Sequence, residues 1–296
     1  MKRLTALLAS ALLAACAPPL AQAPTAIPAP TATPAPTATP TPAPTATPAP
    51  TPEPPAGDAI AAALAQTAGA DSYTLDLAVT GSGAALGAAG GQVVSIASLQ
   101  GSFAGDEFDY TFSGAATALL TGDPAGSLRA IRARGDSFVR GPLPLLGAPD
   151  EAWYRLAPEQ ALLITPPISA DSTAGALARS SPDFSGFVPG PEELAGGQMC
   201  RRYTGGREAT LGLLRSLAAS GLPVEADPAQ IDQASAAVVV CEDGYLHALD
   251  MAYSGTRPGE RPAPYSYDLR LRLSGFGAPA TIEPPEGART MPVPTR

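Results

Sequence analysis

The chain has 296 residues, of which 45% are hydrophobic but only 5% aromatic, with 35 prolines and 30 glycines. That supplies enough apolar material for one large core or two small ones. Only 15% of the residues are charged and the formal net charge is −9, which repels a phosphate backbone and argues against a nucleic-acid partner.

In chain order, the first element is a leader. Lys2 and Arg3 make a positive start, and Leu4 to Ala15 is a short apolar run ending in small residues. This is the layout of a secretory signal, too short to remain as a membrane-spanning helix. Removing residues 1–15 takes the formal charge from −9 to −11, because Lys2 and Arg3 leave with it. Leu13-Ala14-Ala15-Cys16 resembles the bacterial lipobox at all four positions. The resemblance implies that Cys16 carries acyl chains such as palmitate and becomes the first residue of the mature protein. The alternative is an ordinary signal peptide followed by a chance cysteine. No other run of eighteen or more apolar residues exists, so the expected membrane anchor is lipid and not a helix. The expected location is the cell envelope, outside the cytoplasm.

Residues 16–57 follow as the acylated cysteine and a tether. Ala17 to Gly57 holds 15 of the 35 prolines, with PTATPAP-like units recurring. Proline fixes φ and removes a backbone donor, so this stretch is expected to favour polyproline II over helix or sheet. At about 3.1 Å per residue it reaches roughly 120 Å from the membrane. A plain spacer, a glycosylated stalk and a docking segment are all consistent with its composition.

The folded part is expected over residues 58–288, with 289–296 as a flexible tail. Asp58-AIAAALAQTAG reads as a helix with an N-cap and a C-terminal glycine. In SYTLDLAVTG, Tyr73, Leu75, Leu77 and Val79 alternate with polar or small residues, the period of a strand with one apolar face. Phe108, Tyr110 and Phe112 repeat that pattern in EFDYTFSG. LRAIRARG places Leu128 and Ala130 on one face, although Ile131 breaks the alternation. GDSFVRGP and EAWYRL read as further strands, the latter carrying the single tryptophan, Trp153. The glycine-rich GSGAALGAAGGQ reads as a flexible loop.

The later chain mixes helix and strand. EATLGLLRSLAASG spaces Leu211, Leu214 and Leu217 for one helix face, Asp227-Pro228 looks like a helix start, and residues 205–236 read as a helical region. AAVVVCEDGYLHALDMAY reads as two strands joined at Asp243-Gly244, the pair favoured in a type I′ turn. SYDLRLRLSG alternates Tyr267, Leu269, Leu271 and Leu273 against Asp268, Arg270 and Arg272. Hairpin signals between strands argue for an antiparallel sheet, with the helices covering its apolar face. With Cys16 acylated, Cys200 and Cys241 most simply pair as a cross-strand disulfide, as is usual in exported proteins.

The C-terminal stretch YSYDLRLRLSGFGAPATIEPPEGA resembles the ending of LolA-like lipoproteins, particularly the LppX/LprG family: an alternating strand, then Ser274-Gly275-Phe276-Gly277, then Ala278-Pro279-Ala280-Thr281-Ile282 and Pro284-Pro285. The opening helix and SYTLDLAV, the FVRGPLPLLG and WYRL middle, and the EDGYLHAL hairpin fall in the family's order. The chain departs from the family in its glycine- and alanine-rich segment, its helical region and its cysteine pair. The resemblance implies an α+β fold in which helices cover the concave face of a curved antiparallel half-barrel sheet. It also implies that the space between sheet and helices receives acyl chains of a lipid or lipoprotein. Tyr73, Leu75, Leu77, Phe108, Tyr110, Phe112, Leu269, Leu271 and Leu273 are then the candidate ligand-lining residues. The same residues equally suit a filled core.

No catalytic constellation is visible. His247 is the only histidine, and no GxSxG, HExxH, EF-hand loop or phosphate-binding GxxxxGK[ST] occurs. No metal site and no cofactor are expected, and paired acids such as Glu192-Glu193 and Glu242-Asp243 suit a loop and a turn. The expectation is a non-enzymatic, membrane-anchored lipoprotein that binds or carries a lipid or acylated ligand. The alternative is a surface interaction or sensory module with a packed core and an envelope protein partner.

Overall fold

The computed structural model describes residues 54–83, 92–123, 126–166, 169–180, 182–219, 230–258 and 262–292. The lipobox, most of the tether, the glycine-rich 84–91 segment and Asp227-Pro228 lie outside the described residues.

Among the described residues, twelve strands form a single sheet: β1 Ser72–Ser82, β2 Val93–Ala104, β3 Glu107–Ser113, β4 Ser127–Ala133, β5 Asp136–Arg140, β6 Trp153–Arg155, β7 Phe187–Ala195, β8 Gln198–Gly205, β9 Ile231–Cys241, β10 Leu246–Arg257, β11 Ala263–Ser274 and β12 Arg289–Thr290. Their order across the sheet is β12-β6-β5-β4-β3-β2-β1-β11-β10-β9-β8-β7. Every pairing is antiparallel except β12 with β6. Neighbours are mostly joined by hairpins, and β1 pairs with β11 to join the N-terminal and C-terminal halves. The sheet is open and curved, so the α+β class and the half-barrel expected from the sequence both hold.

Period-two alternation sets the two faces. Leu75 pairs with Leu273, Leu77 with Leu271 and Val79 with Leu269, so these side chains share one face. Leu249, Met251 and Tyr253 of β10 extend that face in register. Among the described residues, four α-helices accompany the sheet: α1 Ala56–Ala68, α2 Ala115–Thr121, α3 Ala176–Ser180 and α4 Arg207–Ala219. Ile60, Ala63 and Leu64 of α1, Leu177 of α3, and Leu211, Leu213, Leu214 and Leu217 of α4 all join the core formed with that face. Burying it is what holds the layers together, at roughly 25 cal/mol per Å² of apolar surface.

Several expectations are corrected. Helix α1 starts at Ala56, with Pro55 as N-cap and Asp58 inside its first turn, so Asp58 is not the cap. The expected helical region 205–236 ends earlier, because residues from Ile231 onward form β9. The β9–β10 connection is not type I′: Gly244 has φ 79° but Asp243 does not take positive φ, as the first central residue of that turn must. The folded part also runs past 288, since Arg289 and Thr290 pair with Tyr154 and Arg155 and Met291 is buried.

Ile131 explains its own break in pattern. It lies on the outer face with Ala133 and Phe138, and Ile282 packs onto them to make a second small core. The chain after β11 therefore crosses the outer face of the sheet before β12 pairs with β6. Its start is fixed by Gly277 N–H donating to the Ser72 carbonyl at 3.1 Å and Ser72 Oγ donating to the Ala278 carbonyl at 2.7 Å.

Candidate functional site

The candidate ligand-lining residues come together on the helix-facing wall. Tyr73, Leu75, Leu77, Phe108, Tyr110, Leu271 and Leu273 are buried in the main core, and Phe112 and Leu269 are half-buried against it. Tyr73 and Phe103 stack at 4.9 Å between ring centroids. Two of these residues also act as pins. The Tyr73 hydroxyl accepts from the Ala170 N–H at 3.0 Å, and the Tyr110 hydroxyl donates to the Ile164 carbonyl at 2.7 Å. They tie the segment leading to α3 onto the sheet. Burial disfavours the phenolate, pushing the Tyr110 hydroxyl above its ordinary pKa.

Three hollows among the described residues stand out, and the candidates line none of these three. The first is a trough of about 380 Å³ on the outer face, floored by small polar side chains including Thr80, Ser235, Ser254 and Ser266. The second, about 530 Å³, lies between the crossing segment and the outer face. There Arg129 is held over Trp153, 5.6 Å from the ring centroid, and donates to both carboxylate oxygens of Asp109 at 2.9 and 2.7 Å.

The third hollow differs in kind. It is a groove of about 400 Å³ between α1 and the stretch from α3 to Phe184, and its lining is mainly apolar. Leu64, Leu177 and Phe184 line it and also belong to the sheet–helix core, being 2%, 2% and 5% exposed. The groove is thus a gap in the helical roof, reaching the residues that pack on the apolar wall. Small residues keep it open: Ala61 and Ala65, one turn apart on α1, and Ala178 on α3. Sequence reasoning missed this site. Its trace in the sequence is the pair Ala61 and Ala65 at i and i+4, which read simply as good helix formers.

The groove's charge is one-sided. Asp58 and Asp183 line it, both exposed, and no basic side chain does. Hydrogen bonds from the Ser185 side chain and backbone hold the Asp183 carboxyl below the usual carboxylate range, so it is ionised at neutral pH. The N–H of Ser185 reaches its Oδ1 at 2.8 Å.

The other features singled out in the sequence have structural roles. Cys200 and Cys241 face each other across β8 and β9 and form a disulfide. His247 Nε2 lies 2.9 Å from Asp243 Oδ2, and Asp243 Oδ1 also accepts from the Tyr245 N–H at 3.1 Å. Phe276 covers this turn, stacking on Tyr245 at 4.2 Å and meeting the His247 ring at 5.2 Å. Among the described residues, Asp243 is the hydrogen-bond partner of the His247 side chain, so no nucleophile is paired with it. Among the described residues, no group of three or more His, Cys, Asp or Glu is placed to hold a metal ion. None of the described helices is long and apolar enough to cross a membrane.

Fold and site together define an α+β protein with an open, curved antiparallel sheet and a helical roof, the architecture that the LolA-like resemblance implies. No protein-family model matches the chain, and no curated protein does. Among solved structures it is similar to LprF from Mycobacterium bovis, at 11% identity and a TM-score of 0.42, over 80% of this chain and 99% of that one. It is also similar to a DUF1329 family protein from Desulfovibrio piger, at 10% identity and a TM-score of 0.22, over 76% of this chain and 94% of that one.

Proposed function

We propose that this protein is a non-enzymatic lipoprotein of the cell envelope, anchored outside the cytoplasm through an acylated Cys16, which binds a lipid or acylated ligand. The observation that carries the reading is the groove between α1 and α3, where an apolar gap opens onto core residues Leu64, Leu177 and Phe184. At about 400 Å³ it falls within the range of small-molecule sites. Binding draws on burial of methylenes, worth about 0.8 kcal/mol each, with little demand for specific polar contacts. The wall residues Leu75, Leu77, Leu271 and Leu273 lie deeper, and a guest reaches them when α1 or α3 moves aside.

The test uses the Cys16→Ser variant, which cannot be acylated, so that any lipid found is non-covalent. The purified protein is extracted with organic solvent and the extract is read by mass spectrometry. A reproducible amphiphile is expected. An empty extract, together with no uptake of a fluorescent fatty-acid or acylglycerol probe, rejects the reading.

A second reading has its own support. The wall candidates are packed against the helices, as in a filled core, which suits a surface interaction or sensory module with an envelope protein partner. It predicts no lipid uptake, and an unchanged melting temperature when amphiphiles are added.

A further inference from the structure

Given that reading, volume and charge narrow the ligand class. The groove's volume of about 400 Å³ lies at the small end of the range of ligand sites, with room for one alkyl chain. A second chain of similar length has no wall to cover it. The exposed carboxylates in the lining are Asp58 and Asp183, with no arginine there to balance them, so a head group left at the mouth of the groove would meet negative charge. Like charges repel even in water, and more strongly beside an apolar wall.

We infer that the groove between α1 and α3 takes a single-chain amphiphile whose head carries no negative charge, and that Asp58 and Asp183 reject anionic heads. Leu64, Leu177 and Phe184 hold the chain, while Ala61, Ala65 and Ala178 leave it room. The two carboxylates thus act as a selectivity rim, turning away free fatty-acid anions and admitting uncharged or cationic single-chain species.

The experiment uses the full chain carrying Cys16→Ser, stripped of lipid, with each probe below its micelle concentration at pH 8. Monopalmitoylglycerol, palmitate and dipalmitoylglycerol are compared by calorimetry or equilibrium partition. Monopalmitoylglycerol is expected to bind one to one, palmitate at least about tenfold more weakly, and dipalmitoylglycerol more weakly still. The double substitution Asp58→Asn, Asp183→Asn is expected to bring the ratio of palmitate to monopalmitoylglycerol affinity close to one. Added salt is expected to shift the ratio in the same direction for the unsubstituted rim. Ala61→Phe, at an exposed helix position, fills the groove and is expected to abolish binding of all three.

Equal or tighter binding of palmitate, or a ratio untouched by both the double substitution and salt, overturns the inference while monopalmitoylglycerol binding upholds the broader reading. Tight binding of dipalmitoylglycerol overturns the single-chain claim. Failure of every probe to bind overturns the inference, and the broader reading falls with it only when the solvent extract is also empty.

Discussion

Leu75 and Leu77 are 0% and 1% exposed at the centre of β1, flanked by β2 and β11 and covered by helices. Truncating either leaves a void that close-packed neighbours relax into only partly. Leu77→Ala is expected to destabilise the fold by about 2–5 kcal/mol, read as a lowered urea midpoint. Tyr110 carries a pH dependence. Its pKa is raised in the fold, so the native state keeps a proton that the unfolded chain releases. The associated stability is complete below about pH 10 and lost as pH rises further. The urea midpoint should therefore fall above about pH 10, and Tyr110→Phe should flatten that fall. The substitution also removes the bond to the Ile164 carbonyl, at a cost of about 1 kcal/mol. Gly255 shows a different constraint, since a Cβ there would collide with the Gln230 carbonyl. Only glycine lets the chain entering β9 pass so close to β10.

Elements with clean alternation were legible in the sequence, because burial of one face forces period two. That held for β1, β3 and β11, and the leucine spacing of α4 was equally plain. Strands β2 and β7 escaped notice for physical reasons. In β2 a bulge opposite Val79 and Thr80 shifts the register, and Val93 and Val94 begin it with adjacent apolar residues. In β7 Pro189 and Pro191 look like breakers, yet this is an edge strand, where missing donors cost little and discourage pairing with other chains. The cysteine pairing was legible from count and compartment. Its removal by Cys200→Ser with Cys241→Ser should destabilise the fold by about 4 kcal/mol in the chain-entropy account, for a sequence separation of 41. The check is a melting temperature that falls equally in the variant and in the reduced parent.

At the scale of the whole molecule, the sequence told which face of the sheet is apolar but not how completely helices fill it. Alternation reports direction, whereas a cavity is a difference between the volume enclosed and the volume of side chains. The wall candidates turned out packed, and the hollow lies one layer up, between α1 and α3. What yields and what resists is set by the segment crossing the outer face. It is fastened beside β1 at Ser72, packed through Ile282, and fastened again where β12 joins β6. In sheet order β1 to β5 lie between β11 and β6, so this band works as a bowstring, holding those strands at a set bend. On the proposed reading, room for a ligand then comes from the helical roof and not from flattening the sheet. The short helix after the π-turn at Asp171–Gly175 is the softer partner, and breathing of the molecule should concentrate there.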